Sequence, residues 1–282
     1  MKLLHTSDLL LGQGFPLLPD LASALREARL EVLRSILALA VREKVDAIVL
    51  AGNTIADTRV AHDLVVKLTS LLATSPVPVY LWPGQSDPLR ADSPYVLRAD
   101  LFKAPIHLLK QPQLPWNGPL VAVGQALPGA EYVALPGNSP EPYGFGQGQG
   151  TVRLVSFPGA QVQQVPVGRY NWLEVEASSL KDLPAQLNPL ASDTTLLRLK
   201  LRGSASLEEY QQFEAWRSAL RFQWLEVDNQ MQISSGKRFH HPLLRALQEK
   251  VEGAGSQDPA SALRALLQLD RLVAQSGKED LV

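Results

Sequence analysis

Three short apolar runs, each ending in a glycine-bearing polar cluster, constrain this chain more than any other feature. The first is Met1 to Gly14 (MKLLHTSDLLLGQG), the second Val45 to Asp57 (VDAIVLAGNTIAD), the third Val77 to Asp87 (VPVYLWPGQSD). Each reads as a buried strand that finishes in a loop carrying a carboxylate. Strand ends of this kind converge on the carboxyl edge of a parallel sheet, where open α/β folds place their chemistry.

The segments between these runs are helical in pattern. Asp20 is placed to cap a helix running to about Lys44, in which Leu21, Leu25, Leu30, Leu33, Ile36, Leu37 and Val41 recur on one face. A second helix, His62 to Ala73, buries Leu64, Val65, Leu68, Leu71 and Leu72. Strand, helix and strand make a crossover unit, so the first 90 or so residues are α/β with parallel strands. Further on, a short helix is expected at Tyr95 to Phe102, with strands at Ile106 to Leu109, Leu120 to Val123 and Tyr132 to Leu135. The pattern changes at about Leu183. Thr195 to Leu201 alternates as a strand, Ser206 opens a helix with Glu208 and Glu209 in its first turn, and Phe222 to Val227 is a strand. Two amphipathic helices, Pro242 to Val251 and Pro259 to Val273, follow across a Gly-Ser joint at Gly253 to Ser256.

Composition narrows the function classes. With 27 basic and 28 acidic residues in 282, there is no global attraction to nucleic acid. The absence of cysteine excludes disulfides and thiolate metal sites. Asp8 interrupts the first apolar run too early for a signal peptide, and no run of about 18 apolar residues offers a membrane span, so the expected location is cytoplasmic with no membrane partner.

HTSDLLLG, LAGNTIAD and PGQSD resemble the first three signature blocks of calcineurin-like metallophosphoesterases, specifically the nuclease subunit of the SbcCD type that acts on DNA double-strand breaks. The resemblance implies a layered α/β core over residues 1–178, a small α+β capping domain over 179–236, and a helical tail over 237–282. In that family the blocks carry Asp and His, a metal-bridging Asp, and an Asn-His pair. Here Asp8 stands at the first Asp, Leu10 at the His, Asn53 at the bridging Asp, and Gln85 and Ser86 at the Asn ligand and catalytic His; Asp87 closes the third block. The two later histidine blocks are missing from LVAVGQALPGAEYVALPG, and the likeness resumes at PGNSPEPYGFGQGQGTVRLVSF. No catalytic residue is therefore assigned, and the expectation is no cofactor, or at most one weakly held Mn²⁺ or Mg²⁺. The resemblance further implies an SMC-type, SbcC-like ATPase docked through Leu243, Leu247, Leu263 and Leu267, contact with DNA, and compatibility with a homodimer.

Two readings stand for the site residues. Asp8, Asp57 and Asp87 either bind a metal or cap helices and accept loop amides. A two-metal centre needs a bridging carboxylate and several imidazole or carboxylate ligands, and Asn53 cannot supply the bridging charge. None of His5, His62, His107, His240 and His241 falls on a family ligand position. His5 reads as a strand-end packing residue, Lys237, Arg238, His240 and His241 as a phosphate patch or a solvated loop, and Trp216 as core rather than a base-stacking residue like those that Trp116, Trp172 and Trp224 could in principle supply. GFGQGQG precedes a strand rather than a helix, so it reads as a hairpin connection and not as a phosphate loop. Two functions follow: a non-catalytic structural or regulatory relative of the nuclease subunit, or a divergent single-metal phosphoesterase or DNA exonuclease. The tail stripes either pack on their own domain or meet a partner.

Overall fold

The computed structural model describes residues 1–234, 242–253 and 259–279. The chain forms two compact units, Met1–Asn171 and Trp172–Val282. The α/β class expected from the sequence is the one the chain adopts.

The first unit runs β1 (Lys2–Thr6), α1 (Ala22–Arg42), β2 (Ala47–Ala51), α2 (His62–Leu72), β3 (Val79–Trp82), α3 (Pro94–Leu97), β4 (Ile106–Leu108), β5 (Val121–Val123), β6 (Tyr132–Ala134), β7 (Thr151–Ser156) and β8 (Gln161–Pro166). Its six-stranded sheet has the order β4-β3-β2-β1-β7-β8. β1 to β4 are mutually parallel, as the crossover helices require, and β7 and β8 join antiparallel. Leu4, Ile48, Leu50, Val79 and Leu81 point to one face and pack under Leu33, Ile36 and Leu68 of the two long helices. Leu3, Val49 and Tyr80 point to the other, where the parallel pair β5-β6 covers them through Val121, Val123 and Ala134. Both faces of the parallel strands are thus covered, which explains their unbroken apolar runs.

Local details depart from expectation. Asp20 does not cap α1; Leu21 occupies the N-cap with no side-chain bond, because the turn at Pro19 already satisfies the first amides through backbone carbonyls. The helix expected over Tyr95 to Phe102 splits into α3 and a 3₁₀ turn at Ala99–Leu101. Gly144 to Gly150 precedes β7 as expected but is not the expected hairpin connection, since β6 and β7 lie in different sheets; it makes a local turn in which Gly144 bridges to Gln147.

The second unit begins within β9 (Asn171–Ala177), before the expected boundary at 178, and continues through α4 (Leu183–Leu187), β10 (Thr195–Leu201), β11 (Ser204–Ser206), α5 (Leu207–Ala219), β12 (Trp224–Asn229), β13 (Gln232–Ser234), α6 (Pro242–Gly253) and α7 (Pro259–Glu279). Its main sheet has the order β12-β10-β9. Ser206 and Glu209 form a reciprocal capping box at the start of α5. Leu183, Leu187, Leu197, Leu199, Leu201 and Phe213 build the core, with Trp216 packed against it. The tail helices belong to this unit: Leu207 of α5, Ile233 of β13, Leu244 of α6, and Leu263 and Leu266 of α7 share one apolar cluster.

Candidate functional site

The loops after β1, β2 and β3 meet at one edge of the main sheet. Backbone bonds run between them from Asp8 N–H to the Gly52 carbonyl (2.9 Å), from Leu10 N–H to Asn53 (2.9 Å) and from Leu11 N–H to Thr54 (3.0 Å). The loops bend sharply enough to hold three non-glycine residues in the left-handed region: Asp8 (φ 54°), Leu10 (φ 47°) and Asn53 (φ 53°). Such conformations cost of order 1–3 kcal/mol each and persist only where surrounding structure fixes them. Gly84 fixes one side, since a Cβ there would stand 2.2 Å from the Asn53 nitrogen and 2.3 Å from its Oδ1.

The polar side chains at this edge bond to one another. Asn53 Nδ2 donates to Asp8 Oδ1 (2.7 Å). Its Oδ1 accepts from the Ser86 backbone N–H (3.0 Å), with the Ser86 hydroxyl oxygen 3.2 Å away. These neighbours fix the amide's orientation, because a carboxylate can only accept and an N–H can only donate. Asp8 Oδ2 accepts from the Ser7 hydroxyl (2.7 Å) and the Gly137 N–H (2.5 Å). Ser86 also donates to the Ile55 carbonyl at 2.6 Å. Asp87, fully buried, accepts four bonds: Asn53 N–H (3.1 Å) and Gly84 N–H (2.7 Å) at Oδ1, Ile55 N–H (2.9 Å) and Tyr95 O–H (2.6 Å) at Oδ2. Burial pushes the Asp87 carboxyl up, while the Tyr95 hydroxyl and the backbone amides pull it back.

These residues do not fit a two-metal centre. Asn53 presents a donor to Asp8 where a bridging carboxylate would present charge, and both carboxylate oxygens of Asp8 and of Asp87 accept from the protein itself. Leu10 is apolar and half-buried, and Gln85 is exposed. Among the described residues no group of three or more His, Cys, Asp or Glu side chains is placed to hold a metal ion. The structure brings Asp8, Asn53, Ser86 and Asp87 together but leaves Asp57 out. Asp57 is exposed and closes on Arg59, whose guanidinium (3.3 Å) and then backbone N–H (2.8 Å) lower its pKa.

The histidines lie elsewhere. His5 is fully buried on the β5-β6 side of the sheet, its Nδ1 2.8 Å from the Tyr132 hydroxyl. Burial, reinforced by the charge of Arg153, lowers its pKa to about 3. His107 lies on β4 against the Tyr80 ring, and His62 starts α2. Lys237, Arg238, His240 and His241 lie outside the described residues, as do positions 254–256 of the Gly-Ser joint.

Sequence reasoning missed a support beneath Asp8. Arg29, 1% exposed on the inner face of α1, donates to the Leu9 carbonyl (2.7 Å) and the Pro142 carbonyl (3.4 Å) and lies between the rings of Phe15 and Tyr143, each 5.8 Å away. Burial lowers its pKa to about 10, against the attraction of Glu141, Tyr143 and Asp8. Ser139 donates to the Asp8 carbonyl (2.9 Å), and buried Glu141 accepts the N–H groups of Arg169 (2.6 Å) and Tyr170 (3.1 Å). A cavity of about 60 Å³ lined by Asp8, Gly137, Ser139, Tyr143 and Gly148 remains between them. The available signal was a lone arginine at a buried helical position, between Leu25 and Leu33.

The tail leucines divide. Leu263 is fully buried in its own unit and Leu267 packs against the same cluster, so neither forms an open docking ridge. The expectation that all four leucines face a partner is corrected for this pair: Leu207 and Ile233 supply the local core that the sequence did not reveal. Leu243 (63% exposed) and Leu247 (38%) remain on the surface, joined by Leu269 and Leu272.

No protein-family model and no curated protein matches the chain. Among solved structures it is similar to TT1561 of Thermus thermophilus, at 15% identity over 71% of this chain and 67% of that one, with a TM-score of 0.32. It is also similar to YfcE, a phosphoesterase from E. coli, at 15% identity over 59% of this chain and all (100%) of that one, with a TM-score of 0.30.

Proposed function

We propose that this protein is a non-catalytic relative of SbcD-type metallophosphoesterases, acting as a structural or regulatory subunit beside an SMC-type ATPase in DNA repair or processing. The observation that carries the non-catalytic reading is the Asn53 amide, which ties Asp8 to Ser86 and so joins by hydrogen bonds the loops that a bridging carboxylate and two cations would otherwise join. The family assignment rests on the order and spacing of the three sequence blocks. The ATPase partner rests on that resemblance together with the exposed Leu243 and Leu247, four residues apart on one face of α6. On the exposed face of the second sheet, Arg198 pairs with Glu226 and Glu174, Lys200 with Glu174, and Arg202 with Asp228, so no DNA-binding role is assigned to that face.

Elemental analysis after purification in Mn²⁺, run beside a Mn²⁺-dependent nuclease assay, tests the reading. We expect fewer than one tightly held Mn²⁺ per chain and no cleavage. Two Mn²⁺ per chain, or metal-dependent cleavage that is lost in Asp8→Ala, would sink it and favour the phosphoesterase alternative.

A further inference from the structure

An asparagine side-chain amide is a weak electrophile within reach of the next residue's backbone nitrogen. Whether the two react depends on how free both groups are and on how crowded the approach is. The chain has six asparagines, and five are protected, each by its own surroundings. Asn53 has both ends of its amide bonded, to Asp8 and to Ser86. Asn138 is fully buried and donates to the Thr151 carbonyl (3.0 Å). Asn229 donates to the Tyr210 hydroxyl (3.1 Å) and accepts from the Met231 N–H (3.0 Å). Asn188 precedes Pro189, whose nitrogen carries no proton to give up. Asn171 opens β9 ahead of the bulky Trp172.

Asn117 has none of these protections. It lies in the bend Trp116-Asn117-Gly118-Pro119 between β4 and β5, and both it and Gly118 are exposed. Among the described residues neither the Asn117 side chain nor the Gly118 N–H has a hydrogen-bond partner. Glycine next in line leaves the attacking nitrogen uncrowded, because it has no Cβ. Packing accounts for that glycine: a Cβ at Gly118 would lie 2.8 Å from Met1 Cε and 3.1 Å from Trp116 Cε2. Trp116 is itself pinned, its Nε1 donating to the Pro119 carbonyl (2.8 Å) and its ring meeting Phe157 in a T-shaped contact at 5.8 Å. The tight bend over Trp116 thus selects the residue that makes Asn117 reactive.

We propose that Asn117 is a site of spontaneous modification, converting to isoaspartate and aspartate through a cyclic imide formed with Gly118. The Gly118 nitrogen attacks Cγ of Asn117; an N–C bond forms, the C–NH₂ bond breaks, and the proton from the Gly118 nitrogen leaves with the amine as ammonia. Water then adds to one of the two imide carbonyls and opens the ring. Opening at the backbone carbonyl gives isoaspartate, in which the main chain runs through the side-chain carbon, and opening at the side-chain carbonyl gives aspartate. Water is the only co-reactant, and no electrons are transferred. Either product takes the formal net charge of the chain from −1 to −2. Isoaspartate also lengthens the main chain by a carbon inside the bend that Trp116 and Pro119 close, and its free α-carboxyl is the group that isoaspartate methyltransferases esterify.

Incubation of the folded full chain at mildly alkaline pH, followed by peptide mapping with mass spectrometry, tests this. Asn117 should convert first of the six, mostly to isoaspartate, with methyl transfer to the same peptide by an added isoaspartate methyltransferase. The rate should rise with pH, because the Gly118 nitrogen must lose its proton to attack. Gly118→Ala should slow conversion about tenfold, equivalent to about 1.4 kcal/mol in the barrier. A synthetic peptide spanning Leu114 to Val121 separates the role of the fold from that of the dipeptide: Asn117 in the folded chain should react as readily as in the peptide. Conversion of any other asparagine first, an intact Asn117 in the folded chain once the free peptide has reacted, or equal rates with Gly118 and with alanine would overturn the proposal.

Discussion

Replacing Asn53 with aspartate perturbs the site edge at its tightest point. The Asn53 amide now donates to Asp8 across 2.7 Å, and Asp8 is 8% exposed. After Asn53→Asp two carboxylates face each other, their charge centres about 4 Å apart. At an effective dielectric of about 20 the repulsion is about 4 kcal/mol, and loss of a hydrogen bond to a charged group adds about 1.5–3 kcal/mol. The pair can relieve part of this by sharing one proton. A net loss of about 3–5 kcal/mol at pH 7 is expected, with the bond from the Ser86 backbone N–H to Oδ1 retained. The sign with pH follows from the shared proton: the pair's folded-state pKa rises above the unfolded value of about 4, so stability is fully present below that value and is lost as pH rises through the folded pKa. Urea unfolding in EDTA at several pH values between 5 and 8 should therefore show the variant approaching the parent as pH falls. Millimolar Mn²⁺ should recover only part of the loss, through one weak site. A variant as stable as the parent at pH 7, or one whose deficit does not change with pH, would refute the claim that the amide holds these loops together.

Further predictions concern the supports around that edge and the tail. His5, held neutral with a pKa lowered to about 3 by burial and Arg153, contributes stability that is present above its unfolded pKa of about 6.5 and is lost as pH falls toward 3. His5→Phe should flatten that limb of the stability profile, which in the parent amounts to at most about 4–5 kcal/mol. Gly84→Ala should cost about 1–3 kcal/mol or more in urea unfolding, since its Cβ meets the Asn53 backbone nitrogen and cannot be relieved by a side-chain rotation. Leu263→Ala should destabilise the second unit by about 2–5 kcal/mol, whereas Leu243→Ala should leave thermal unfolding within about 0.5 kcal/mol and weaken only co-purification with an SMC-type ATPase.

The α/β crossover units were legible because both their periodicity and their strand-end loops are local properties of the chain. The meeting of Asp8, Asn53, Ser86 and Asp87 was legible from motif order, although periodicity could not reveal which atoms bond. What stayed hidden depended on distant partners. Arg29 looks like a charged residue on a helix until Leu9 and Pro142 supply carbonyls and Phe15 and Tyr143 supply ring faces. Leu263 looks like part of a free stripe until Leu207 and Ile233 cover it. Asp20 had the chemistry of a cap but not the place, because a turn one residue earlier had already met the need.

The bonds from Gly137 N–H to Asp8, from Asn138 N–H to Ser7 and from Ser139 to the Asp8 carbonyl join positions 129 to 131 residues apart. A ribosome adds roughly 5–20 residues per second, so the first strand waits on the order of ten seconds before its loop partners exist. During that interval β1, α1 and β2 can assemble with Ser7 and Asn53 already within reach of Asp8, but the Gly137 amide that completes the bonding of Asp8 Oδ2 does not yet exist. Vectorial synthesis thus gives this chain an early sheet with an unsealed rim, which can close only after residues 137–139 have been made and have left the tunnel.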